Sequence, residues 1–268
     1  MSWTGIVFAL MLAQGHPAAE VQALQAARQT EQRGEGARAV EIVRQALVAN
    51  PKSVELLKEE GRLLLRDPSR SAQARDPLTK AVALAPGDGE AHYFLSQWAC
   101  LHNMDAQCIT EARHALRLAP GNVQAQLQLN TLIGLAAEKT GDAAMADAAF
   151  RSSLAANQKL GLPDPLSAYQ YVTFLLQRAK DDEAQAIVVV LMQKSPRFGP
   201  AWLERAKWSA KKGQAAEAVR MAEQALRLEG MQKEQLRAAH MLLARTYFQL
   251  GREDEASKHQ AWIEEHLN

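Results

Sequence analysis

The chain has 268 residues, 31 basic and 30 acidic side chains, and a net charge of +1. That balance excludes a strongly basic nucleic-acid binder, and an apolar content of 47% without long like-charge runs excludes wholesale disorder. Two cysteines are too few for a disulfide scaffold, while 49 alanines and 34 leucines, the strongest helix formers, predict an all-α chain.

At the start, Met1 to Thr4 carries no basic residue, and Gly5 to Ala13 is a mainly apolar run. It is far short of the roughly 20 residues that span a bilayer, so no transmembrane span is expected. It does match the core length of a signal peptide. Ala13-Gln14-Gly15 places small residues where a signal peptidase reads, and His16-Pro17 opens polar chain. The missing basic start departs from that pattern. The expectation is export to the periplasm or the exterior with cleavage near Gly15. The alternative is a cytoplasmic protein whose residues 1–19 form an apolar lead over the first repeat.

Further along, helix ends are punctuated in register. Pro51, Pro86, Pro120 and Pro196 close similar stretches, such as Ala-Leu-Val-Ala-Asn-Pro51 and Ala-Leu-Arg-Leu-Ala-Pro120, at spacings of 35, 34 and 76 residues. Gly230 takes the same place 34 residues after Pro196. Proline or glycine there ends a helix and permits a turn. Small residues keep step: Ala39, Ala74, Cys108, Ala184 and Ala218 precede each end, and Ala46, Ala81, Ala115 and Ala225 follow nearer to it, with Leu191 in the fifth unit. Two antiparallel helices packed about 8–10 Å apart leave no room for large side chains at their crossing. Gly34, Gly141, Gly213 and Gly251 stand where a helix-to-helix turn is needed. Asp67-Pro68-Ser69-Arg70-Ser71 replaces the glycine in the second unit with a polar turn.

These residues resemble the tetratricopeptide repeat family, a 34-residue helix-turn-helix pattern. Trp202, Ala206, Gly213, Ala218, Ala222, Ala225 and Gly230 carry the fullest match, and Leu243, Ala244, Tyr247, Gly251 and Ala256 a second. The expected units are 20–53, 54–88, 89–122, 123–162, 163–198, 199–232 and 233–268. The fourth has about four extra residues in its first helix and runs into Leu160-Gly161-Leu162-Pro163-Asp164-Pro165. That segment is expected to separate two halves, 20–162 and 163–268, with a closing helix bearing Trp262 and Leu267.

The resemblance implies a right-handed superhelical solenoid of about seven hairpins, with first helices lining a concave surface. That surface is expected to take a peptide or protein segment. Its central lining is expected from Tyr93, Phe94, Gln97, Leu127, Gln128, Thr131, Tyr169, Gln170, Leu203 and Lys207. Arg28, Lys58, Arg62 and Arg66 at one end, and Lys211 and Arg245 at the other, give basic ends interspersed with Glu55, Glu59, Glu90 and Glu204. Lys58 and Arg62 suit the clamp that some relatives use on chaperone tails. Tyr93 and Phe94 stand where its next polar members belong, so no clamp is expected. For an exported chain, the resemblance to periplasmic repeat proteins implies envelope assembly.

No catalytic signature is present: there is no phosphate-binding loop, nucleophile elbow or His-Glu-x-x-His. No enzymatic activity, cofactor, nucleic acid or small-molecule substrate is expected. Cys100, His102, Cys108 and His114 are zinc-competent types, but their spacing matches no common zinc pattern, and no metal is expected. Cys100 and Cys108 are instead candidates for a bridge, since the hairpin turn brings their regions together. The other reading is two free core thiols. An accessory enzyme subunit with redox or metal chemistry at Cys100 and Cys108 is the alternative function.

Overall fold

The computed structural model describes residues 17–160 and 164–266. The apolar run 5–13, the cleavage site near Gly15, Gly161-Leu162-Pro163 and Leu267 lie outside them. The described residues form fourteen α-helices in hairpin order. These are α1 (Pro17–Gln32) with α2 (Gly36–Ala49), α3 (Val54–Leu65) with α4 (Arg75–Leu84), and α5 (Gly89–Leu101) with α6 (Asp105–Leu118). Then come α7 (Val123–Lys139) and α8 (Ala143–Lys159), α9 (Pro165–Gln177) with α10 (Asp181–Lys194), α11 (Gly199–Lys211) with α12 (Ala215–Leu226), and α13 (Lys233–Gln249) with α14 (Glu253–Glu265). No helix among these residues is long and apolar enough to cross a membrane.

Six of the turns inside the hairpins share one backbone solution. A residue at positive φ follows the first helix: Gly34, Asn103, Gly141, Ala179, Gly213 or Gly251. The next amide then bonds back to a carbonyl in the last turn, as Gln214 does to Ser209 at 2.9 Å and Lys180 to Leu175 at 3.0 Å. This satisfies carbonyls that the helix end leaves without partners. Four of the six residues are glycine, which takes that conformation without steric cost. In the second hairpin Asp67 accepts from the Ser69 amide at 3.0 Å and its hydroxyl at 2.6 Å, and a short 3-10 turn, Ser71–Ala74, leads into α4.

Between hairpins, Ser53, Asp88 and Asn122 stand two residues beyond the punctuating prolines and cap the next helix. Ser53 accepts from Leu56 N at 3.2 Å, Asp88 from Glu90 N at 2.9 Å, and Asn122 from Ala125 N at 2.9 Å. The small residues placed at crossings are buried: Ala39, Ala46, Ala74, Ala81, Cys108, Ala115, Ala184, Ala218 and Ala225. Gly61 belongs with them. A Cβ built on it would lie 2.4 Å from Leu78 Cδ2, so α3 and α4 meet there with no room for a methyl group.

The chain divides into two compact units, Met1–Ala149 and Phe150–Asn268. The division falls within α8, ahead of the expected break at 162/163. Side-chain packing accounts for it. Ala149 joins Leu129 and Ile133 in one cluster, while Phe150 packs on Tyr171 at 5.8 Å and Phe174 at 5.3 Å. In the second unit the Asn157 amide and the Asp164 backbone exchange two hydrogen bonds of 2.7 Å, and Asp164 caps α9. One core cluster there holds Leu203, Ala225 and Ala239; another holds Ala206, Ala222, Leu243 and Tyr247.

Candidate binding cleft

In the first unit, α3, α5 and α7 are the first helices of three successive hairpins. The C-terminal halves of α3 and α7 and most of the length of α5 border an open cleft of about 690 Å3. On α5 the lining residues are Tyr93, Phe94, Gln97, Cys100 and Leu101; Leu65 faces them from α3, and Leu132, Leu135 and Ala136 from α7. Tyr93, Gln97 and Leu101 recur every four residues, and Leu132, Leu135 and Lys139 at steps of three and four, so each set occupies one helix face.

A polar ladder runs from the cleft to the cavity beside it. The Tyr93 hydroxyl donates to Gln128 Oε1 at 2.6 Å and accepts from Gln97 Nε2 at 2.7 Å. Burial pushes the Tyr93 phenol above its ordinary pKa, so it stays protonated and able to donate. Phe94 packs against it edge-on at 5.3 Å. A smaller cavity of about 330 Å3 lies beside the N-terminal ends of α5 and α7 and includes Gln128.

Two of the expected lining residues lie elsewhere. Leu127 and Leu203 are fully buried, and Leu203 packs with Ala225 and Ala239. On α7 the outward face runs through Gln128 and Leu132, one residue beyond the expected register, and one residue turns a helical side chain by about 100°. The Thr131 hydroxyl bonds its own helix at Leu127 O, 2.8 Å away. The cleft residues that sequence reasoning missed are Leu65, Leu101, Asp105, Leu132, Leu135, Ala136 and Lys139. The four-residue spacing from Tyr93 to Leu101 was the available signal.

The basic end expected in the first units is neutralised within the protein. Arg62 reaches Glu31 at 2.6 Å and Glu59 at 2.9 Å; Arg66 reaches Glu31 at 2.7 Å; Arg28 lies 3.5 Å from Glu59. The Arg62 guanidinium, with Arg66 beside it, holds the Glu31 carboxyl down at about 2. Lys58, 7% exposed, sits among Asp88 at 2.8 Å and Glu55 and Glu90 at 2.9 Å. Burial opposes its charge, and the three carboxylates outweigh that, raising its pKa above the ordinary range. With that ammonium fully engaged, Lys58 has no hydrogen left for a ligand carboxylate.

In the second unit, Tyr169 on α9 donates to Glu204 Oε1 of α11 at 3.1 Å and accepts from Gln235 of α13 at 3.2 Å. Burial, then the Glu204 charge, pushes this phenol well up. Lys207 is exposed but pairs with Glu204 at 2.8 Å, and Lys211 pairs with Asp181. Gln170 and Thr173 are half-buried, and the Thr173 hydroxyl bonds Tyr169 O at 3.1 Å. On α13, Met241 and Phe248 are 53% and 68% exposed, with exposed Arg245 between them on the same face.

Cys100 and Cys108 are joined, with Cα atoms 5.1 Å apart; Cys108 is buried and Cys100 borders the cleft. His102 packs near Trp98 at 5.2 Å, and His114 stacks on His92 at 5.0 Å. Among the described residues no three His, Cys, Asp or Glu side chains converge as metal ligands.

Among solved structures, the chain is similar to a tetratricopeptide repeat protein from Parabacteroides merdae, at 16% identity and a TM-score of 0.63 over 92% of this chain and 93% of that one. The C-terminal part of a repeat protein from Cytophaga hutchinsonii, 14% identical, gives 0.67 over 88% and 93%. YrrB, described as a tetratricopeptide repeat protein with an unusual peptide-binding site, is 18% identical and gives 0.55 over 74% and 98%. No protein-family model matches the sequence, and no curated protein does. The chain has the tetratricopeptide-repeat fold, an all-α array of helical hairpins.

Proposed function

We propose that the chain is a non-enzymatic protein-interaction scaffold, and that the cleft of the first unit takes an apolar segment of another protein. The observation that carries this reading is the exposed side of α5. Tyr93 and Leu101 sit there at one face; Leu101 is 56% exposed, and half-buried Tyr93 packs against the cluster of Ala112, Leu129 and Ile133 with its hydroxyl in the polar ladder. Apolar side chains arrayed in a concave surface mark an interaction site more often than scattered ones do. Tyr93 and Gln97 within the cleft, and Gln128 beside it, supply donors and acceptors to orient a bound backbone. The fold supports the reading, since stacked hairpins present such surfaces, and YrrB is described as having a peptide-binding site.

Selection from a random peptide library on the immobilised full chain tests it. Binders with apolar anchors that compete with one another, and that fail on Leu101→Asp, are expected. Binders indifferent to that substitution would contradict the cleft assignment.

Export is part of the same proposal, with a role in envelope assembly. The Cys100–Cys108 bridge supports it, because the cytosol keeps thiols reduced. The mature chain should begin near His16, and protein recovered with Met1 or Ser2 in place would contradict export. A second reading, an accessory subunit using this bridge as a redox element, draws on Cys100 bordering the cleft. Thiol titration with and without reductant, alongside peptide binding, separates the two.

A further inference from the structure

The last hairpin gathers five rings. His240 of α13 stacks on Trp262 of α14 at 3.8 Å with 5° between the planes, and Trp262 stacks with His266 at 4.2 Å. His259 of α14 stacks with Tyr247 of α13 at 5.8 Å. Between these stacks the two imidazoles meet nitrogen to nitrogen, His259 Nδ1 lying 2.9 Å from His240 Nδ1. The hairpin does not need that pair in order to turn: Gly251 and the Arg252 amide already close it, the amide bonding to Tyr247 O at 2.9 Å.

We propose that His240 and His259 together bind one divalent transition-metal ion of the cupric type, held across α13 and α14.

The distance is that of a nitrogen-to-nitrogen hydrogen bond, and it equally suits two neighbouring ligands of one ion. An imidazole nitrogen binds such ions at about 2.0–2.1 Å, so two nitrogens 2.9 Å apart subtend about 90° at a shared ion. That is the angle between neighbouring ligands in tetragonal coordination, the preference of Cu2+ and Ni2+ with nitrogen and oxygen ligands. A tetrahedral zinc site would need nitrogens about 3.3 Å apart at the same bond length. The Irving–Williams order then places Cu2+ first.

The surroundings suit the ion. Both imidazoles are half-buried between the helices, and the neutral imidazole is the form that ligates. Trp262 and Tyr247 flank the rings and limit their rotation. In the metal-free protein one Nδ1 carries the hydrogen of the contact. On binding, that ring holds its proton at Nε2 instead, both rings stay neutral, and each Nδ1 lone pair becomes a coordinate bond. Water fills the other positions, since among the described residues no third protein ligand converges. Glu223 of α12, which accepts from the Tyr247 hydroxyl at 2.5 Å, supplies negative charge near His259.

The test is titration of the untagged full chain with Cu2+, Ni2+ and Zn2+, followed by tryptophan fluorescence and electron paramagnetic resonance. One cupric ion per chain is expected, ligated by two imidazole nitrogens, quenching fluorescence and binding at least tenfold more tightly than Zn2+. His240→Gln and His259→Gln should each weaken cupric binding at least tenfold, while His266→Gln and His114→Gln leave it within twofold. Circular dichroism of each variant checks folding. Should the variants unfold, the resonance of the native chain decides alone: fewer than two imidazole nitrogens on the ion overturns the site. Unchanged affinity in folded His259→Gln, or zinc bound as tightly as copper, overturns it as well, leaving the pair as a hydrogen bond.

Discussion

The two units build the same hairpin yet engage opposite charges on their first helices: basic side chains in the first, buried Glu204 in the second. In the first unit Lys58, Arg62 and Arg66 are drawn into carboxylate cages by Asp88, Glu59 and Glu31, and the cleft at the C-terminal ends combines apolar residues with Arg62, Arg66, Asp105 and Lys139 at its edges. In the second unit buried Glu204 is shared by Tyr169 and Lys207, and two of the exposed apolar groups, Met241 and Phe248, sit on α13 around Arg245. The difference teaches that charge on a repeat helix is first a fastening between successive hairpins. Only what the fastenings leave over is available to a partner.

The comparison breaks most visibly if the fastenings are removed. Lys58→Met leaves Asp88, Glu55 and Glu90 facing one another. Losing one partner of a buried pair costs about 3–5 kcal/mol, and two of these carboxylates are open to water, so about 2–3 kcal/mol is expected. Urea denaturation should show it, with hydrogen exchange placing the loss in α3 to α5. A change under about 0.5 kcal/mol would mean the cage is a surface feature.

Close packing comes next and should not distinguish the units. Gly61→Ala forces a methyl against Leu78, and Ala218→Leu overfills a buried crossing; each should cost about 1–3 kcal/mol. Leucine at Ala216, exposed on the same helix as Ala218, should be tolerated within about 0.5 kcal/mol. Equal effects at Ala216 and Ala218 would contradict the register of α12.

Acid sharpens the comparison. Burial, with His259 and His266 nearby, pushes His240 from 6.5 down to about 4. The unfolded chain therefore takes up that proton first, and stability of the second unit falls as pH drops from about 6.5 towards 4. Glu31, held at about 2 against an ordinary 4.5, contributes stability that is lost only as pH falls from about 4.5 towards 2. Hydrogen exchange on metal-free protein at pH 5.5 should thus show α13 and α14 weakened while α1 to α3 keep their protection. The reverse order would contradict these assignments.

The smallest effect is at a turn. Ala179 adopts φ 55° where four sister positions have glycine. A left-handed residue with a Cβ costs roughly 1–2 kcal/mol, and glycine's extra unfolded-state entropy offsets roughly half of that. Ala179→Gly should therefore raise stability by about 0.5–1 kcal/mol in thermal melts, and a loss would contradict this account of the turn.

Much of the architecture was legible because helix ends and crossings demand particular residue types. Proline after Ala-Leu stretches, glycine before four of the second helices, and alanine at most crossings carry the physics in their identity. Two turns escaped because Asn103 and Ala179 take a glycine conformation under tertiary constraint. Gly61 escaped because its neighbour, Leu78, comes from another helix. Leu127 was misplaced where the longer α7 shifts the repeat register. The basic end was misjudged because sequence records which charges exist, while pairing across thirty residues, as between Lys58 and Asp88, exists only in the fold.

The central claim is that the first unit's cleft holds the partner segment. Its most direct test is the affinity of one library-selected peptide for three full-length proteins: native, Tyr93→Ala with Leu101→Ala, and Met241→Ala with Phe248→Ala. Truncating an anchor at an interface costs about 2 kcal/mol or more, roughly thirtyfold. The account predicts at least that loss for the first double variant, with unchanged circular dichroism, and affinity within twofold of native for the second. Native affinity in the first, or the larger loss in the second, would contradict it.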